Sequence, residues 1–273
     1  MSLLYMFSFP FIQRALVAGV LVSVCAALLG VPLVLKRYSM IGDGLSHVSF
    51  GALAVAAALG FTPLYFSIPV VIAAAFLLLR VADSPRWNSD AAIAVVSASS
   101  LALGVLVISK TSGMTTDVDN YMFGSVLAMS REDVVLSVAL CAAVLALFAL
   151  FYHRIFAVTF DESFSRATGL KAERYNALLA ILTALTIVLG MRMMGAMLIS
   201  SLVIFPALTA MRLFRSFRGV TLCAAAVSVG CFCVGLAVSF AWSTPVGATV
   251  VAAHLALFLS AWAVSLIQVR RQR

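Results

Sequence analysis

Long apolar stretches, separated by short clusters of polar and turn residues, run along the chain from Phe11 to Val269. A helix that crosses a bilayer needs about 20 predominantly apolar residues. By that length the pattern predicts about nine spanning helices, over 11–35, 41–60, 64–81, 91–109, 134–152, 175–190, 195–213, 219–241 and 247–268. Some of these are short or interrupted, so eight is the alternative count. The breaks fall at Asp83 to Asp90, Lys110 to Asn120, Asp161 to Arg174 and Ser216 to Gly219, where turn-forming and charged residues gather. Between Lys110 and Asp133, the run Tyr121 to Met129 is too short to span and too apolar to lie free in water, which predicts a re-entrant or interfacial helix.

Composition supports the lipid reading. Of 273 residues, 64% are hydrophobic and 10% are Asp, Glu, Lys or Arg, against roughly 25% charged in a soluble domain. So few charges cannot solvate the exterior of a water-soluble globule. No linker-like block interrupts the apolar pattern, so residues 1–273 are read as a single transmembrane domain, an all-α polytopic membrane bundle of about eight to nine helices. The start of the chain lacks a charged n-region and a small-residue cleavage site, and is read as part of the mature protein. The five cysteines lie in apolar segments without a Cys-x-x-Cys pair and are expected to pack rather than react.

Charge then gives orientation. The net charge is +8, and Lys and Arg collect in cytoplasmic loops. With nine spans and the N-terminus outside, fourteen of the eighteen basic residues fall on the inner side, leaving Arg14, Lys110, Arg131 and Arg192 outside. This predicts a multi-pass cell (inner) membrane protein with its C-terminus in the cytoplasm. Nucleic acid is not expected as a partner, because the tight basic runs are limited to Lys36-Arg37 and the Arg270 to Arg273 tail.

Three stretches carry candidate chemistry. In Gly42-Asp43-Gly44-Leu45-Ser46-His47, the Asp and His are four residues apart and share one helix face. An ionised Asp within the bilayer costs about 2.5 to 3.5 kcal/mol or more unless something offsets it. Either Asp43 caps a helix N-terminus while His47 is an interior hydrogen-bonded residue, or the two offer carboxylate oxygen and imidazole nitrogen to Zn²⁺ or Mn²⁺. Two ligands are few for a tetrahedral ion, and two-fold pairing of identical chains would supply four.

The second stretch, Thr159 to Gly169, predicts a short cytosolic helix. Thr159 and Glu162 have capping-box spacing, Asp161 and Glu162 fill the first turn, Arg166 lies near the last, and Gly169 stops it. Phe160, Phe164 and Ala167 form one narrow apolar stripe, which either lies back on the membrane or docks into a cytosolic partner. In the third stretch, Gly190 and Gly195 flank Arg192, and the helix that follows carries Ser200, Ser201 and a mid-helix Pro206. These residues suit a pore-lining or gating helix and ordinary tight packing equally. A methionine metal site from Met191, Met193, Met194 and Met197 would suit Cu(I) and is the weaker alternative. His153 and His254 are read as structural.

The chain carries neither a phosphate-binding Gly-x-x-x-x-Gly-Lys-Ser/Thr loop nor a His-Glu-x-x-His motif. Any ATP energy must therefore come from another chain.

In order and spacing over nearly the whole chain, five runs resemble the zinc/manganese class of ABC importer permeases. They are Gly42 to His47, Tyr121 to Gly124 with Leu127-Ala128, Phe160 to Gly169, Val188 to Ala210, and Thr244-Pro245-Val246-Gly247. The resemblance implies a transport subunit rather than an enzyme, a type II-like ABC importer permease fold, a homodimer, two cytosolic ABC ATPase subunits and an extracytoplasmic metal-binding protein. It implies that Asp43 and His47 line the path of a transported divalent metal, zinc ahead of manganese, with no bound cofactor. It also implies that Phe160, Asp161, Glu162, Phe164, Ala167 and Gly169 belong to the helix that couples to the ATPase. A secondary, ion-gradient-driven metal carrier is the alternative that the residues alone leave open; an intramembrane enzyme fits less well.

Overall fold

A computed structural model describes residues 9–82, 89–111 and 131–271. The described residues form eleven helices and no strand: α1 (Pro10–Leu35), α2 (Ser39–Ala58), α3 (Pro63–Ala82), α4 (Ser89–Thr111), α5 (Arg131–Leu150), α6 (Tyr152–Phe160), α7 (Glu162–Ala167), α8 (Ala172–Met194), α9 (Ala196–Leu213), α10 (Phe217–Trp242) and α11 (Val246–Arg271). Eight are long and apolar enough to cross a membrane, and a ninth span results if α5 and α6 are counted together. The all-α polytopic bundle expected from the apolar pattern is the fold observed. The Tyr121 to Met129 segment lies outside the described residues.

Burial orders the helices from inside to outside. In α2 and α8, 72% of the spanning window is buried, against 17% in α4 and 22% in α11. The first two form the interior with α1 and α9, while α3, α4 and α11 turn apolar surface outward, as helices bathed in lipid do. Small residues let the inner helices come close. A Cβ added at Gly51 of α2 would stand 2.7 Å from the Ser100 carbonyl of α4, so this contact requires glycine.

Three boundaries differ from the sequence expectation. The segment 134–152 is not straight: α5 ends at Leu150, and α6 departs at 67°. Beyond Phe151 the sequence becomes amphipathic, with Ile155 and Val158 buried while His153 and Arg154 stay exposed. Such a helix turns to lie along an interface instead of continuing across it.

The helix expected over 159–169 is broken at Asp161, which has extended dihedrals of φ −145° and ψ 93°. Thr159 is not a cap. It belongs to α6 and returns its hydroxyl to the Ile155 carbonyl at 2.6 Å, a common use of a threonine inside a helix. Asp161 caps α7 instead, accepting from the Phe164 amide at 2.8 Å, where its negative charge also meets the positive end of the helix dipole. The stop at Gly169 is as expected: with φ at 87°, its N–H bonds Arg166 O while the Leu170 N–H bonds Ser165 O, a Schellman turn.

Finally, α8 runs past Gly190 to Met194 because Gly190 is buried tightly against Ile199 of α9. The break comes at Gly195, where φ 86° and ψ 160° suit glycine alone.

Candidate functional site

The Asp43 and His47 pair lies early in α2. Its N-cap is Tyr38, and Asp43 is past the first turn, where helix amides lack partners, so the capping reading of Asp43 does not hold. Ile41, Gly42, Gly44, Leu45, Ser46 and Val48 are buried against neighbouring helices. Met40, Asp43 and His47, at helical spacing, form the stripe left open on this turn of α2. The Asp43 side chain is 41% exposed and that of His47 is 21% exposed.

His47 Nε2 stands 3.7 Å from Asp43 Oδ2, too far for a hydrogen bond. Two donors each about 2.1 Å from one ion at a tetrahedral angle would stand about 3.4 Å apart. The pair is thus spaced to share a cation. Among the described residues no group of three or more His, Cys, Asp and Glu could hold a metal, so one protomer brings an incomplete ligand set. The buried Nδ1 of His47 also has no hydrogen-bond partner within the protomer, whereas metal-bound imidazoles usually use that nitrogen to fix the ring.

The start of α9 reaches the same helix. The Ser46 hydroxyl donates to the Asp43 carbonyl at 2.7 Å. Ser200 lies 3.3 Å from Ser46 Oγ and 3.1 Å from the Ala196 carbonyl, so its single proton can serve either. Gly195 provides the turn that brings α9 into this position. Ser201 bonds back to Leu198 O at 2.8 Å, and Pro206 is buried within an α9 that continues through it to Leu213. Of the four residues read as a gate, Ser200 touches the Asp43 turn, while Ser201 and Pro206 serve α9 itself.

At the end of the bundle marked by Lys36, α7 is fastened by a polar cluster that the sequence did not reveal. Lys36 Nζ donates to Glu162 Oε2 at 3.0 Å and to Asn176 Oδ1 at 2.5 Å, Asn176 Nδ2 donates to Glu162 Oε2 at 3.1 Å, and Arg166 donates to Glu162 Oε1 at 2.7 Å. Lys36 is nearly enclosed, with 8% of its side chain exposed. Partial burial pushes the Glu162 carboxyl up, but the hydrogen bonds from Lys36, Asn176 and Arg166 and the charge on Lys36 outweigh it and hold the group below the usual carboxylate range.

The aromatic stripe divides at the break. Phe160 closes α6, with its ring 4.9 Å from Phe156 and 6.0 Å from Phe217, whereas Phe164 projects from α7 and is 66% exposed. Ala167 is exposed at the other end of α7. Phe160, Phe164 and Ala167 therefore do not share a single helical face.

The remaining candidates pack. His254 is buried in α11, with Nδ1 2.9 Å from Val250 O and its ring 6.4 Å from Phe205. Met191, Met193 and Met194 are buried, Met193 accepts from Ser137, and Met197 is exposed, so the four sulfurs do not converge on one open site. All five cysteines are free.

The sequence profile of the ABC 3 transport family matches residues 8–265. The manganese import system permease protein ScaB of Streptococcus gordonii is 29% identical over 251 residues, which cover 92% of this chain and 90% of that one. The high-affinity zinc uptake system membrane protein ZnuB of Haemophilus influenzae is 28% identical over 251 residues, covering 92% and 96%. Among solved structures, PsaBC from Streptococcus pneumoniae in complex with Fab superposes with a TM-score of 0.85 at 27% identity, over 94% of this chain and 92% of that one.

Proposed function

The chain belongs to the ABC 3 transport family, and from that premise we propose that it is the membrane-spanning permease of an ATP-driven importer for a divalent transition metal. The observation that carries this reading is the Asp43 and His47 pair, 3.7 Å apart on the open stripe of a buried helix. In this reading two copies face each other across a two-fold axis and present two carboxylates and two imidazoles. Four-coordinate N₂O₂ ligation is a common arrangement for zinc, whereas manganese favours octahedral oxygen sites. Zinc is therefore placed ahead of manganese, although the named relatives include importers of each.

The proposed cycle begins with an extracytoplasmic metal-binding protein delivering the ion to the outer side. Asp43 neutralises charge and His47 contributes nitrogen; a shared, weakly held ion can leave again, which conduction requires. Separate ATPase subunits dock on α7, and their closure alternates access to the site. Because α9 contacts the Asp43 turn through Ser200 and Ser46, movement of α9 would gate the path. Counted over nine spans, with α5 and α6 crossing as one, the basic asymmetry favours an N-terminus outside and a C-terminus in the cytoplasm.

The test uses the complex reconstituted with its ATPase and binding-protein partners. Asp43→Ala and His47→Ala are each expected to lower Zn²⁺ uptake at least about tenfold, or about 1.4 kcal/mol, while the subunits still co-purify. Wild-type uptake by either assembled variant removes the site assignment. ATP hydrolysis stimulated more by Mn²⁺ than by Zn²⁺ reverses the metal order. Transport by the purified chain alone, without ATP, favours the ion-gradient carrier.

A further inference from the structure

We propose that Lys36, Glu162 and Asn176 form a strut that carries movement of α7 into α2 and so into the Asp43 and His47 pair. The proposal rests on the reading of α7 as the helix that meets the ATPase. It adds a positioning residue, Lys36, and a route between α7 and the metal path.

Lys36 is the C-cap residue of α1, and α2 begins at Ser39. The ammonium group is bonded to Glu162, the first residue of α7, and to Asn176 near the start of α8. Asn176 also donates to the same Glu162 oxygen, so the three side chains close a triangle rather than a single flexible pair. Behind it, Lys36, Tyr38, Ile41, Leu45, Leu79 and Thr183 are among the residues enclosing a cavity of about 10 Å³. That is about the space of one water molecule. Lys36 is thus held between the Glu162 and Asn176 acceptors on one side and Tyr38, Ile41 and Leu45 on the other, with its side chain 8% exposed. Ile41 and Leu45 are each two residues from Asp43, nearly opposite it around the helix, so a push from this side is directed toward the open stripe.

The corner between α1 and α2 is a hydrogen-bonded turn. Arg37 N–H bonds Val34 O at 3.1 Å and Tyr38 N–H bonds Leu33 O at 2.8 Å, with Arg37 at φ 62°. This is the same turn as those after α2 and α7, where Gly60 and Gly169 hold the left-handed position at φ 73° and 87°. A left-handed residue with a side chain is strained and persists only when its surroundings fix it. A side chain at this position restricts the corner to a narrower range of dihedrals than glycine would allow.

The experiment measures Zn²⁺ transported per ATP hydrolysed by the full complex in proteoliposomes. Lys36→Gln and Glu162→Gln are each expected to lower that ratio about tenfold. The double variant is expected to be no worse than the poorer single one, because both break the same tie. Lys36→Arg, which retains charge and donors, stays within about twofold of wild type. A wild-type ratio in either single variant, or fully additive losses, overturns the strut. If Lys36→Gln does not assemble, Glu162→Gln and Asn176→Leu, both on the far side of the tie, decide the question with the same expectations. A Phe164→Cys crosslink to the ATPase separates the two readings. If it is absent from an intact complex, the docking role of α7 falls; if it is present alongside an unchanged ratio in the tie variants, the strut alone falls.

Discussion

Glu162 receives hydrogen bonds from Lys36, Arg166 and Asn176, and its carboxyl is held below the usual range. Because its acidity is greater in the folded than in the unfolded chain, the stabilisation is complete above the unfolded value of about 4.3 and is lost as pH falls through the lower folded value. Thermal unfolding of the detergent-purified chain is therefore expected to show a loss of stability below about pH 4.3 that is smaller in Glu162→Gln; equal acid sensitivity in both proteins would show that this carboxylate contributes none of it. At this scale the sequence was only partly legible. The spacing of Asp43 and His47 on one helix face is a local property, and the structure has that face. The partners of Lys36 are 126 and 140 positions away, and no local pattern encodes such a meeting. Thr159 was misread for a related reason: its spacing to Glu162 is that of a capping box, and only the backbone break at Asp161 shows that the helix starts two residues later with Asp161 as its cap.

Among the elements, apolar length revealed the helices but not their bends. A span rule counts hydrophobic residues, so it joins the end of α5 to Phe151 and Tyr152, whereas the amphipathic pattern of α6 redirects the chain by 67°. The junction of α8 and α9 was easier to locate, since Gly190 and Gly195 were both visible, yet only Gly195 breaks the helix. Its dihedrals, φ 86° and ψ 160°, belong to a region essentially closed to residues with a Cβ. Gly195→Ala is accordingly expected to destabilise the bundle by about 1 to 3 kcal/mol. Gly190→Ala is expected to disturb packing with Ile199 without straining that turn. A shift in midpoint temperature in detergent measures the first effect, and unchanged stability in Gly195→Ala would mean that the turn can relax. Since Gly195 also positions Ser200 beside Ser46, the same variant should slow uptake.

For the molecule as a whole, scarcity of charge makes every exposed polar group informative. The apolar surface that α4 and α11 leave uncovered suits contact with lipid, but the open stripe of α2 cannot be explained in that way. An ionised Asp43 exposed to hydrocarbon would cost about 2.5 to 3.5 kcal/mol or more, so this face must meet water, an ion or protein. A second copy, placed with its own α2 opposite, would satisfy both the cost and the incomplete ligand set. Met40 lies on the same stripe, 49% exposed, one helical turn before Asp43. In that arrangement Met40→Cys comes close to its counterpart, and a short thiol crosslinker is expected to yield a covalent dimer on a non-reducing gel. Leu259→Cys, on α11 and 50% exposed, is the control: α11 packs mainly on α9 and α10, so in the arrangement with α2 at the axis it should give little dimer. Wild-type chain under the same conditions reports any contribution from the native cysteines. Equal crosslinking at both positions, or none at Met40→Cys, would place the two-fold axis away from α2 and leave Asp43 to be neutralised by some other partner.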